Sequence, residues 1–163
     1  MESKEPAPLD RAAMVADFMR EISRMSTWSV MFHQAASLQM GLNATDGKCL
    51  SVLRETGPIT AGEMAEITGL TTGAVTGVID RLEKHGFVRR ATDPYDRRRV
   101  VIEPIENATN TEELQQIFGP LGEATMHEFI NRYTDEELAL VLDFVHRGAN
   151  LMKAQTARLR SLK

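Results

Sequence analysis

Arg97, Arg98 and Arg99 stand side by side, after the turn-forming stretch Asp93-Pro94-Tyr95-Asp96 and before the β-branched run Val100-Val101-Ile102. A guanidinium is planar, permanently charged and weakly hydrated, and its fork of donors matches anionic oxygens. Three of them on what reads as a hairpin tip suit one task, the binding of an anionic partner. The charge around them is just as uneven. From Arg81 to Arg99 there are seven basic residues (Arg81, Lys84, Arg89, Arg90, Arg97, Arg98, Arg99) against three acidic ones (Glu83, Asp93, Asp96). The whole chain is nevertheless acidic, with a formal net charge of −4. A local basic patch on an acidic body reads either as one positive face for an anion or as a solvated charged face.

Catalytic chemistry is poorly served. The four histidines are scattered, and there is no phosphate loop, no nucleophile elbow and no credible metal set, so no enzyme, metal or cofactor is expected. Glu123 and His127 have a metal-capable i, i+4 spacing, but two ligands are too few for a site. The single cysteine, Cys49, excludes an intrachain disulfide and a multi-cysteine zinc site. It is either a redox-active thiol or a buried small hydrophobe. Hydrophobic content of 42% and charged content of 26% are ordinary for a soluble protein. No apolar run approaches the roughly 18 residues of a membrane span, and MESKEPAPLD has no signal-peptide stretch. The expected compartment is the cytoplasm, with no membrane partner.

The elements that must position the arginines are mostly helical. Residues 1–8 read as a flexible tail. Leu9 to Met40 lacks Gly and Pro, and Phe18, Met25 and Phe32 recur every seven residues, a helical period. A straight helix of that length spans about 48 Å, against a radius of gyration near 15 Å for a compact globule, so it is expected to project and to need cover. Asn43 caps a second helix, with Asp46 suited to its first turn, and Gly57-Pro58 ends it. Thr60-Ala-Gly-Glu63 is a capping box opening a short helix that Gly69 closes. A further helix spans Thr72 to His85, with Val75, Val78, Ile79 and Leu82 on one face. Two short helices joined through a glycine turn form a helix-turn-helix pattern. Phe87–Ala91 and Val100–Ile105 then pair as a hairpin, a wing. Beyond Thr111 the chain is helical again, with a kink or break expected at Gly119-Pro120. Thr134-Asp-Glu-Glu137 opens a last long helix carrying Leu138, Val145, Met152 and Leu159.

The stretch LTTGAVTGVIDRLEKHGFVRRATDPYDRRRVVI, Leu70 to Ile102, resembles the MarR-type winged helix-turn-helix transcriptional regulators. The likeness lies in the VT-x-x-ID-RLE helix, the HG-FV-R exit and the DP-x-DRR wing. The chain departs from it after the wing, where IEPIENATN replaces the usual Leu-Thr and helix-opening glycine. The fold class implied is mainly α with a small β-wing: a winged helix-turn-helix domain over 43–110, with 9–42 and 111–163 forming a helical dimerisation lobe.

That resemblance implies a homodimer bound to a pseudo-palindromic double-stranded DNA operator, helix 72–85 in the major groove and wing 93–99 in the minor groove. The small, polar start of the helix lets backbone approach bases, and threonine offers both a hydroxyl and a methyl. The expected DNA contacts are Thr71, Thr72, Ala74, Val75, Thr76, Arg81, Arg97, Arg98 and Arg99. Val75 could touch a thymine methyl, but a core position suits it at least as well. Gly77 stands where many relatives carry arginine. By resemblance Arg98 enters the minor groove, Arg97 and Arg99 meet phosphates, and Asp96 holds Arg98 or stabilises the turn. The family also implies a repressor released by a small aromatic or anionic effector, for which Trp28, Met31, Phe32, His33 and Arg54 are candidates. The alternatives are a thiol-based redox regulator acting through Cys49, or a winged helix that binds protein and not DNA.

Overall fold

The computed structural model describes residues 10–105 and 108–162, the side chains of 108–110 and 113 aside. The tail expected at 1–8 lies outside them. The order is α1 (Arg11–Gln39), α2 (Ala44–Thr56), α3 (Ala61–Thr68), α4 (Thr72–Lys84), β1 (Val88–Thr92), β2 (Val100–Pro104), α5 (Ala108–Glu128), a 3-10 turn (Ile130–Arg132) and α6 (Asp135–Arg160). The expected fold class, mainly α with a small β-wing, is the one observed.

Local chemistry explains most boundaries. Asp10, Asn43, Thr60, Thr71 and Thr134 each accept a backbone N–H with their side chains at a helix start. Thr60 and Thr134 form complete capping boxes with Glu63 and Glu137. Each cap satisfies a donor that the helix's first turn leaves orphaned.

The core belongs to the winged domain. Leu53, Met64, Val75, Val78, Ile79, Leu82, Val88 and Ile102 are all but fully buried. The strands pair antiparallel, Arg89 opposite Glu103 and Ala91 opposite Val101. Ile59 adds a short third edge, exchanging hydrogen bonds with Ile102 at 2.8 and 3.3 Å, a pairing outside the expected two-stranded wing. Gly47 permits the close approach of α2 to α1: a Cβ there would sit 2.0 Å from Ser37 Oγ.

Of the kink or break expected at Gly119-Pro120, the break does not occur; α5 runs through Pro120 to Glu128. A proline removes one N–H from the ladder. Leu114, Ile117 and Phe118, packed on the winged core just before it, hold that stretch helical by tertiary contact. The break falls instead at the 3-10 turn.

The long helices are different. No residue of α6 is buried, and in α1 only Ala36 and Ser37 are. Phe18 and Phe144 meet edge-on with ring centroids 5.1 Å apart, so α1 and α6 touch. Yet Met25, Trp28, Leu142, Val145, Met152 and Leu159 are each more than half exposed. Among the described residues no helix is long and apolar enough to cross a membrane.

Candidate nucleic-acid interface

The exposed side of α4 starts with its N-cap. Thr71 Oγ1 accepts the Ala74 N–H at 3.3 Å, and Thr76 Oγ1 donates to the Thr72 carbonyl at 2.9 Å. Thr71, Thr72, Gly73, Ala74 and Thr76 are exposed. Val75 is not: its exposure is 0%, so it is a core residue and offers no methyl contact to a thymine. It belongs to the same buried cluster as Met64 and Leu82.

Four of the seven basic residues counted from the sequence are held by carboxylates. Arg81 grips Asp46 with two bonds, Nε to Oδ2 at 2.9 Å and Nη2 to Oδ1 at 2.7 Å. Asp46 is 1% exposed, so it anchors α4 to α2 and does more than favour the helix start. That bidentate bond raises the Arg81 pKa further above its ordinary value. Arg89 pairs with Glu103 across the sheet at 2.9 Å. Arg90 bridges Asp80, at 2.6 Å, and Glu83, tying β1 back to α4. Arg99, exposed like Arg97, pairs with Glu63 at 2.8 Å and so ties the wing to α3. Glu63 already accepts the Thr60 main-chain N–H and hydroxyl; those two bonds, with Arg99 after them, lower its pKa.

Lys84, Arg97 and Arg98 are exposed, and their side chains pair with nothing among the described residues. The turn that carries the two arginines is rigidly built. Asp93 Oδ1 accepts the N–H groups of Tyr95, at 2.8 Å, and Asp96, at 3.2 Å. Asp96 Oδ1 accepts the Arg98 N–H at 3.0 Å. Of the two roles expected for Asp96, the contact made is with the turn's backbone, not with the guanidinium.

A cavity of about 370 Å³ lies between α1, α2 and α5. His33, Lys48 and Arg54 bring polar or charged groups to it, and Val30, Leu114 and Phe118 bring apolar ones. His33 Nδ1 lies 2.7 Å from the Ser29 carbonyl; a carbonyl only accepts, so Nδ1 carries the proton. Trp28 and Met31 do not line this cavity, and neither does Phe32. The lining residues Ser29, His33 and Ser37 recur every four positions along one face of α1, and Trp28 and Met31 lie off it. Phe32 packs edge-on against Phe118, centroids 5.7 Å apart, behind the wall.

The MarR family model matches residues 42–100. An uncharacterised HTH-type transcriptional regulator of Bacillus subtilis, YcgE, is 46% identical over 137 residues, covering 84% of this chain and 87% of that one. The chain belongs to the MarR family. It is a DNA-binding transcriptional regulator with a winged helix, and not an enzyme. The HTH-type transcriptional repressor NicR of Pseudomonas putida is 28% identical over 61% of each chain. The fold agrees too: apo MarR from E. coli, 22% identical, superposes with a TM-score of 0.53 over 88% of this chain and 98% of that one. A MarR protein from Peptoclostridium difficile, 18% identical, gives 0.57 over 98% and 99%.

Proposed function

We propose that this MarR-family chain works as a homodimeric repressor on a pseudo-palindromic operator, with α4 in the major groove, the wing in the minor groove, and release by a small aromatic or anionic effector. One observation carries the reading. Among the described residues, Arg97 and Arg98 stay unpaired on a braced turn while four neighbouring cations are held by carboxylates. The exposed small residues of α4 supply the surface that approaches base edges. Arg98 reads the narrow groove, where negative potential is deepest, and Arg97 meets phosphate. Arg81 and Arg99 act through placement of α4 and the wing.

The exposed apolar stripes of α1 and α6 support the dimer, since soluble monomers rarely leave such surface uncovered. The likeness to NicR supports the repressor sense. The cavity between α1, α2 and α5 supports the effector, because Lys48 and Arg54 suit a carboxylate and Phe118 an aromatic ring. Cys49 offers little to a redox switch. It is 1% exposed, and burial, then the Asp46 charge, push its pKa up against a smaller opposing effect of Arg81. A reactive sulfur needs the thiolate.

Footprinting on duplexes selected from a random-sequence pool tests the reading. Two protected half-sites about one helical turn apart are expected. A single unpaired half-site would contradict the dimeric geometry. In the same assay, a panel of small aromatic carboxylates should contain a member that weakens binding, and Lys48→Ala should blunt its effect.

A further inference from the structure

The end of α6 reaches the turn of the helix-turn-helix. Arg160, in the last turn of α6, donates from Nη1 to the carbonyls of Glu66 at 3.1 Å and Ile67 at 2.8 Å, and from Nη2 to that of Thr68 at 2.8 Å. These are the final three residues of α3. A helix leaves its last four carbonyls without intrahelical donors. Here the fourth, Ala65, is taken by the Gly69 N–H at 2.8 Å. One guanidinium therefore completes the end of α3, over a sequence separation of more than ninety residues. The positive group also sits where the helix dipole is negative. Gly69, in the left-handed region at φ 74°, makes room for it: a Cβ there would lie 2.8 Å from Arg160 Nε. Thr71, the N-cap of α4, follows two residues later.

We propose that Arg160 is a positioning residue for DNA recognition: it caps α3 from α6 and so fixes the turn that sets where α4 begins. The helix carrying the uncovered apolar stripe thereby holds the recognition helix of its own chain. This inference rests on the reading that α4 meets DNA.

The test uses Arg160→Ala and Arg160→Lys in the full chain, with Arg158→Ala as a neighbouring control, circular dichroism to verify folding, and a duplex selected by the parent from a random pool. Arg160→Ala should bind about tenfold more weakly or worse, the scale of lost charged hydrogen bonds. Its salt dependence should stay that of the parent, because no phosphate contact is lost. Amide exchange at residues 66–70 should quicken in the same variant. Arg160→Lys should fall between, since an ammonium cannot span three carbonyls as a planar fork does. Arg158→Ala should match the parent. A salt slope lowered by about one unit would make Arg160 a phosphate contact and overturn the inference. So would unchanged affinity, whether or not exchange quickens. A parent that retains no duplex at all would overturn the functional reading, and this inference with it; a variant that binds like a competent parent overturns this one alone.

Discussion

Arginines of one sequence patch divide into two kinds. Arg97 and Arg98 project, whereas Arg81 and Arg99 are committed to Asp46 and Glu63. Alanine at 97 or 98 should weaken binding and lower the salt slope by about one unit each, read from operator affinity across a salt series. Arg98→Ala should also relax preference at flanking A·T-rich positions, by roughly 1–3 kcal/mol per position. Arg99→Ala and Glu63→Gln break the same tie, so they should resemble each other and leave the slope unchanged. If Arg99→Ala lowers the slope as Arg97→Ala does, the tie opens on DNA and Arg99 is a phosphate contact. The wing arginines were legible because Asp93 and Asp96 announce their turn locally. The partners of Arg81 and Arg99 were not, because they lie 35 and 36 residues away in the chain and only the packed fold joins them.

The elements were readable where their determinants are local. Both capping boxes stand where Thr60 and Thr134 put them, and the inward face of α4 is the one its period defined. Local signals fall short where packing keeps a helix unbroken, as through Pro120, or where pairing is long-range, as at Ile59. The α1–α2 contact gives a test. Gly47→Ala should destabilise by about 1–3 kcal/mol, the usual cost of overpacking, and adding Ser37→Ala should recover part of it in denaturant titrations. The junction of the wing with α3 gives a second. The Glu63 pKa is lowered in the fold, so its contribution is fully present above the unfolded value, about 4.3, and is lost as pH falls through the folded value. The difference in denaturation midpoint between the parent and Glu63→Gln should therefore persist at neutral pH and shrink below about pH 4. A constant gap would show that the carboxylate charge is not what holds the junction.

At the scale of the whole molecule, the exposed stripes predict association. Sedimentation equilibrium at micromolar concentration should give a dimer, and an 18.2 kDa species alone would exclude it. Trp28 is 66% exposed and off the cavity, so in the proposed dimer it should report on association more than on effector. Its emission should shift to the blue as protein concentration rises through the dimerisation range, and should respond little to ligand.

The internal neutralisation of four wing-domain arginines bears on how a regulator finds its site. A genome offers millions of irrelevant positions, and affinity for them comes almost wholly from cations that displace counterions. On the proposed dimer, Arg97 and Arg98 of each half would displace about four, for a salt exponent near −4, well short of what seven cations per half would give. On that reading the protein would leave wrong sequence quickly and sample the chromosome by many short visits. It trades residence on random DNA for a larger contrast between operator and background.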